Sequence, residues 1–315
     1  MPSEKPADRR VIHSYEIDGF KSELFEGEVR FEKDPTRNVA RITISRPESL
    51  NSLTVAGWDY IASLIRQCDR DDDIKVIVLQ GEGDHFTTGG DARDLGKHIG
   101  FEPGKKPSQR RRFVPNRETT MGFSSVIETV ARSVKVTIVK VRGYCYGNGL
   151  QIALAADIVV SSEDGSFAHP AWRYLGPLFN YAHLVEAIGM RKAKEIMFTT
   201  RALDAREAEQ CGLITRCVED AELDRWVDDY VDAIIVQPLD GIVMGKAMIE
   251  MVMDARGFAA GTHASVIGHT WMSNLQFQPD EWNFVKARKE LGLSGALRQR
   301  EEMVAPFFRQ SRRQP

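Results

Sequence analysis

Apolar and polar positions repeat with two different periods along this chain, and the change from one to the other organises it. "EVRFEKDPTRNVARITISRP" alternates with a period of two, which predicts two strands around a turn at Asp34-Pro35-Thr36, with Pro47 ending the second. "LTVAGWDYIASLIRQCDRD" places Leu53, Trp58, Ile61 and Leu64 at helical spacing, so that face is expected inside. "DIKVIVLQG" is a continuous β-branched run closed by Gly81, as a strand covered on both faces requires. The pattern then predicts a helix from about Thr119 to Ser133, a strand over Val136–Val141, a helix to Ala156 and a strand in "DIVVSSED". Such alternation predicts a parallel or mixed α/β sheet with helical cover. From Met190 onward strand patterns nearly vanish and helical runs such as "DAELDRWVDDYVDAIIV" and "LDGIVMGKAMIEMVMDAR" take over. Three regions result: an arm over residues 1–24, an α/β core over 25–218 and a helical region over 219–315.

Composition narrows the partners. At 315 residues, 42% hydrophobic and 28% charged, the chain has the balance of a soluble globular protein. A net charge of -3 exerts no global pull on nucleic acid or anionic membrane, and neither is expected as a partner. No apolar run nears the roughly 20 residues that span a bilayer. The opening "MPSEKPADRR" lacks the apolar stretch of a signal peptide. Cys68, Cys145, Cys211 and Cys217 form no CxxC pair, so a reduced, cytoplasmic chain without a metal site is expected. "GKKPSQRRRF" concentrates Lys105, Lys106, Arg110, Arg111 and Arg112. It reads as a solvated loop, with a phosphate-binding flap as the sharper alternative.

Candidate chemistry sits where strands run into glycines. In "RGYCYGNGLQIALAADIVV" a strand ends at Gly147-Asn148-Gly149 and a helix follows at once. Glycines let the backbone approach a ligand, and the new helix offers free N–H groups where the macrodipole favours negative charge. Ile152 stands where a dinucleotide fingerprint needs its third glycine, which weakens that use. An oxyanion hole for a carbonyl is the other use, and "HFTTGGDARD" supplies a second donor, the N–H of Gly90, at a similar turn.

Five segments in order, "SRPESLNSL", "VIVLQGEGDHFTTGGDARDL", "VRGYCYGNGLQIALAADIVV", "SFAHPAWRYLGP" and "MRKAKEIMFTTRALDAREAEQCGLITRCV", resemble the enoyl-CoA hydratase/isomerase (crotonase) superfamily. The resemblance runs from about Val29 to Val218. It implies a crotonase-like spiral of ββα units, a C-terminal helical trimerisation region and a homotrimer or dimer of trimers. It implies an acyl thioester whose enolate is held by the N–H groups of Gly90 and Asn148. It also places substrate contacts at Asn51, Leu53, Thr88 and Arg93. No cofactor is expected to stay bound; coenzyme A enters as part of the substrate.

The chain departs from that pattern at the reacting centre. Gln151 and Ala171 occupy the positions of the two hydratase glutamates. Hydration of an enoyl thioester needs one group to activate water and another to deliver a proton, and neither residue does so. His169, Tyr174, Tyr181 and His183 cluster near the second position. His169 titrates near working pH and is the best base candidate. Tyr174 is a weaker catalytic candidate, Trp172, Asn180 and Tyr181 are expected to line the pocket, and a surface role for His183 is at least as favoured. Asp91 and Asp157 read as structural, Asp91 capping a helix after Gly90. In the last helix the aromatic and lysine of hydratases become Ala296 and Gln299, with Arg300 retained. The reading is an enzyme that stabilises an enolate, most favourably on an acyl-CoA, by a lyase, hydrolase or isomerase reaction other than two-glutamate hydration. A CoA-independent hydrolase of a cyclic β-diketone is one alternative, and a non-catalytic binding or scaffold member is another.

Overall fold

The computed structural model describes residues 9–17, 19–91, 93–94, 108–120, 125–175, 181–271 and 276–304. Strands β1 (Val11–Ile17) and β2 (Phe20–Phe25) form an antiparallel hairpin. The next two, β3 (Val29–Asp34) and β4 (Val39–Ile44), flank the expected turn. Helix α1 (Val55–Asp69) follows, then β5 (Val76–Gly81). After α2 (Gln109–Pro115), a π-helical turn at Asn116–Thr120 and α3 (Val126–Ala131), the chain forms β6 (Val136–Val141) and β7 (Tyr144–Tyr146). Then come α4 (Asn148–Ala155), β8 (Ile158–Ser162), β9 (Ser166–Ala168), α5 (Ala171–Leu175) and α6 (Tyr181–Thr199). Short β10 (Leu203–Asp204), α7 (Ala205–Gln210) and β11 (Arg216–Val218) precede the helices α8 (Leu223–Ile235), α9 (Leu239–Ala255), α10 (Phe258–Trp271) and α11 (Phe284–Val304).

A six-stranded mixed sheet runs β11-β8-β6-β5-β4-β3, parallel except between β3 and β4. A smaller sheet, β10-β9-β7, stands beside it. One face of the large sheet packs under α1, α3 and α4; the other meets Leu223, Val227 and Val231 of α8. Burial on both faces explains the unbroken apolar runs of β5 and β6. Leu53, Trp58, Ile61 and Leu64 are all buried, as their spacing predicts.

Three expectations need correction. Residues 1–24 read as an arm, yet β1 and β2 pack on α1. The reason is helix capping: Ser22 Oγ accepts from Ala56 N at 2.9 Å, and Thr54 Oγ1 donates to the Glu23 carbonyl at 3.0 Å. Together with Asp94, which accepts from Val55 N, these groups satisfy donors that the first turn of α1 leaves open. The basic "GKKPSQRRRF" stretch is not a solvated loop throughout. Ser108 caps α2 and Arg112 is 2% exposed; 101–107 lie outside the described residues. The helix expected over 119–133 is split, because Ser125 starts α3 afresh by accepting from Glu128 N.

Candidate active site

The first glycine turn is built by a short parallel bridge between Leu53 and Gly90. Leu53 N donates to Gly89 O at 2.9 Å, and Asp91 N donates to Leu53 O at 2.8 Å. In a parallel bridge the residue between those two bonds points its own N–H away from the partner. Gly90 is therefore turned outward, and a Cβ built on it would meet nothing within 4 Å. Leu53 is 1% exposed with both backbone groups spent on this bridge, so it aligns Gly90 rather than contacting a ligand through them.

The second turn opens α4. Gly147 has φ 58 and donates to Ala168 O at 3.1 Å; the first helical bond runs from Gln151 N to Gly147 O. The N–H of Asn148, first residue of α4, thus lies in the turn whose donors have no intrahelical acceptor, at the positive end of the helix. The two turns touch. Gly89 has φ +95, and a Cβ there would come 3.1 Å from Asn148 N and from Tyr146 O. Only glycine permits both that conformation and that approach.

Beneath Gly90 lies a buried ionic cluster that the sequence reading missed. Arg46, 7% exposed, pairs with Glu28 at 3.0 Å and with Asp91. Arg93 reaches the same two carboxylates at 3.3 and 2.9 Å. Burial opposes the Asp91 charge, but the Arg93 backbone N–H and the Arg46 guanidinium outweigh it and hold its pKa below the ordinary value. Asp91 is structural, as expected, but it accepts from Arg93 N in a tight local turn instead of capping a described helix. Arg93, expected as a substrate contact, makes these two ion pairs. Asn51 is likewise committed: it is fully buried, accepts from Arg46 N at 2.9 Å and donates to the carbonyls of Glu82 and His85 at 2.9 and 2.6 Å. Thr88, half-buried, donates through N to Leu50 O.

Gln151, in α4, meets His169, which directly follows β9. The Gln151 amide Nε2 donates to His169 Nε2 at 2.8 Å, and both side chains are buried. Burial pushes the His169 pKa down to about 4. The expectation that His169 titrates near working pH is overturned: the ring stays neutral there, and its Nε2 lone pair is occupied. Trp172, 5% exposed, stacks on that ring with centroids 5.3 Å apart. Among the described residues, Gln151 Oε1 and Trp172 Nε1 are buried polar atoms with no hydrogen-bond partner. Tyr174 lies elsewhere, stacked on Phe284 at 5.1 Å and beside Trp282, in a cluster made with α11. Burial raises its pKa, which makes it a poorer proton donor.

His183 is buried, not superficial. It faces the buried carboxylate of Glu128 at 3.4 Å. Asn180 and the side chain of Tyr181 lie outside the described residues. Asp157 is structural, accepting from Thr137 N and pairing with Lys246. Ala296 is fully buried, Gln299 accepts from Trp282 Nε1 at 2.8 Å, and Arg300 Nε donates to Arg173 O at 2.8 Å, so α11 folds back on α5 of its own chain. Among the described residues, no three His, Cys, Asp or Glu side chains gather as metal ligands, and no helix is long and apolar enough to cross a membrane.

Comparison with known proteins bears on this geometry. A family model described as enoyl-CoA hydratase/isomerase matches residues 34–256. The chain is similar to a probable enoyl-CoA hydratase of Mycobacterium bovis (echA8), 28% identical over 184 residues, 58% of this chain and 66% of that protein. It thus spans just under two thirds of that relative's length. It is similar to 4-chlorobenzoyl coenzyme A dehalogenase-2 of an Arthrobacter species, 28% identical over 217 residues, 67% of this chain and 75% of that one. Among solved structures, an enoyl-CoA hydratase/isomerase from Xanthobacter autotrophicus Py2 superposes with a TM-score of 0.74 at 21% identity, covering 88% of this chain and 98% of that one. That likeness establishes the crotonase-like fold.

Proposed function

The chain belongs to the enoyl-CoA hydratase/isomerase family, and we propose that it is an enzyme acting on an acyl-CoA thioester by a reaction other than two-glutamate hydration. The thioester oxygen is received by the N–H groups of Gly90 and Asn148, which stabilise it as it becomes an enolate. The observation that carries this reading is the contact of the two turns through Gly89, with Gly90 turned into open space. Gln151 and Ala171 supply no carboxylate for hydration. The test is a thermal-shift titration with coenzyme A and acetyl-CoA, beside an assay of water addition to crotonyl-CoA. A saturable rise in melting temperature without hydration is expected. No shift at millimolar ligand, or brisk hydration, would sink the reading.

One observation favours a second reading, a CoA-independent hydrolase of a cyclic β-diketone. Ala296 and Gln299, at positions where the resemblance places CoA contacts, are used within α11 and its own chain. Cleavage of such a diketone without any thermal shift from CoA esters would establish it.

A homotrimer or dimer of trimers is part of the proposal. Helix α9 exposes Met244, Met248, Ile249, Met251 and Val252, each at least 60% accessible, a row too apolar for open solvent. Light scattering on the purified chain tests this assembly, and a monomer would refute it.

A further inference from the structure

Gly90 has no side chain, so the direction of its N–H is set by whatever holds its neighbours. Before it, Gly89 O accepts from Leu53 N; after it, Asp91 N donates to Leu53 O. Helix α1 begins two residues beyond Leu53. The Leu53–Gly90 bridge therefore rests on two supports, the N-terminus of α1 on one side and residues 91, 93 and 94 on the other.

The β1–β2 hairpin and its exit fasten both supports. On the α1 side, Ser22 Oγ accepts from Ala56 N at 2.9 Å and Glu23 O accepts from Thr54 Oγ1 at 3.0 Å. On the Gly90 side, the same Ser22 hydroxyl donates to Asp94, which also accepts from Val55 N at 2.9 Å. The Arg93 guanidinium lies over the Phe25 ring, 5.8 Å from its centre. Glu28, 3% exposed, joins the remaining parts. Its carboxylate accepts from Phe25 N at 3.2 Å and pairs with Arg93 at 3.3 Å and Arg46 at 3.0 Å. Arg46 in turn donates to Ser52 O and pairs with Asp91, so it grips both strands of the bridge. Charged contacts of this kind hold firmly where water is excluded. Residues 11–28 precede residue 34, where the match to the family model begins.

We propose, resting on the reading of Gly90 as an oxyanion donor, that the hairpin is a positioning element of the active site and Glu28 its main positioning residue. Glu28 touches no substrate. It acts through Arg46 and Arg93, which fix the Asp91 carboxylate and with it the direction of the Gly90 N–H. A donor stabilises a developing oxyanion only when it is held in place before the charge appears.

The probe is acetyl-CoA isotope-labelled at the thioester carbonyl and bound to the full chain, with the carbonyl stretch read by infrared difference spectroscopy. Donation from Gly90 and Asn148 weakens the C=O bond and lowers its frequency on binding. In Glu28→Gln the band should return toward the free-ligand position by about half of that lowering or more, while acetyl-CoA still gives a saturable thermal shift. Phe25→Leu, which loses the ring beneath Arg93, should move it the same way by less, and it decides alone if Glu28→Gln does not fold. His13→Ala is the control. His13, in β1, holds the hairpin to α1 through Asp59 at 2.8 Å and the Tyr60 ring, so its loss should lower Tm and leave the band in place. A lowered band that stays put in Glu28→Gln and Phe25→Leu would overturn this inference alone. So would a band that follows Tm across all three variants, which would leave Glu28 a purely structural role. A thermal shift without any lowering of the band, or no shift with any CoA ester, would overturn the Gly90 reading and this inference with it.

Discussion

The amide of Gln151 occupies the Nε2 lone pair of His169, 2.8 Å away, inside a site that excludes solvent. This contact decides how the protein responds to acid. The unfolded chain takes up a proton at His169 near pH 6.5, while the folded ring resists until about 4. A depressed folded pKa makes the stabilisation complete above the unfolded value and progressively lost as pH falls toward the folded one. Urea unfolding should therefore show a loss of about 3 kcal/mol from this residue between those limits. In His169→Gln the slope over that window should be shallower than in the native chain. Equal slopes would show that His169 does not titrate this way.

Gly89 and Gly90 are neighbours with opposite expected responses to a methyl group. Gly89→Ala meets Asn148 N and Tyr146 O at 3.1 Å and is strained at φ +95. It should cost about 1–3 kcal/mol of stability. Gly90→Ala meets open space and should change stability by less than about 0.5 kcal/mol. Its Cβ nevertheless enters the space beside the outward N–H, so the thermal shift given by acetyl-CoA should disappear. Retention of that shift would place the thioester elsewhere.

Most of the sheet was legible because its signals are local. The runs of β4, β5 and β6 and the helical face of α1 state their own burial. So do the glycines at 89, 90, 147 and 149, since few physical needs put glycine between a strand and a helix. The β1–β2 hairpin was missed because it is held by what Ser22 and Glu23 do for α1, and sequence spacing carries no trace of that contact. Arg46 was missed for the same reason: its partners Glu28 and Asp91 lie 18 and 45 positions away. The expected titration of His169 failed because burial, a property of the assembled fold, set its pKa. The part Asn51 plays in shaping its loop, through Arg46 N and the carbonyls of Glu82 and His85, was equally illegible, because those partners meet only in the assembled fold.

Arg46 should be among the most sensitive positions in the chain. Its guanidinium separates two buried carboxylates, Glu28 and Asp91. Arg46→Met leaves both with the half-exposed Arg93 as their one cationic partner among the described residues and should cost about 3–5 kcal/mol. Arg46→Lys keeps the charge but not the fork that meets both acids, so it should fall between the two. Denaturant midpoints for the three chains provide the check. A Lys variant as stable as the native chain would mean that charge alone suffices.

Glu128 ties the core to the C-terminal helices, and removing it should loosen them selectively. From α3, its carboxylate accepts from Thr262 Oγ1 of α10 at 2.7 Å, faces His183 of α6 at 3.4 Å and accepts from Arg132 Nε at 3.3 Å. Burial opposes its charge, but the His183 contact and the other donors prevail and hold its pKa below the usual carboxylate value. Arg132 carries the link onward to Glu250 and Asp254 of α9. Glu128→Ala leaves Thr262, His183 and Arg132 facing an empty place. Amide exchange in α10 and the first turn of α6 should then quicken at least tenfold, about 1.4 kcal/mol of lost local protection. Exchange in β5 and β6, whose cover comes from α1 and α8, should stay slow. Glu128→Gln keeps an acceptor without the charge and should recover part of the protection. Uniform acceleration across helices and sheet would show that Glu128 supports the whole fold rather than this junction.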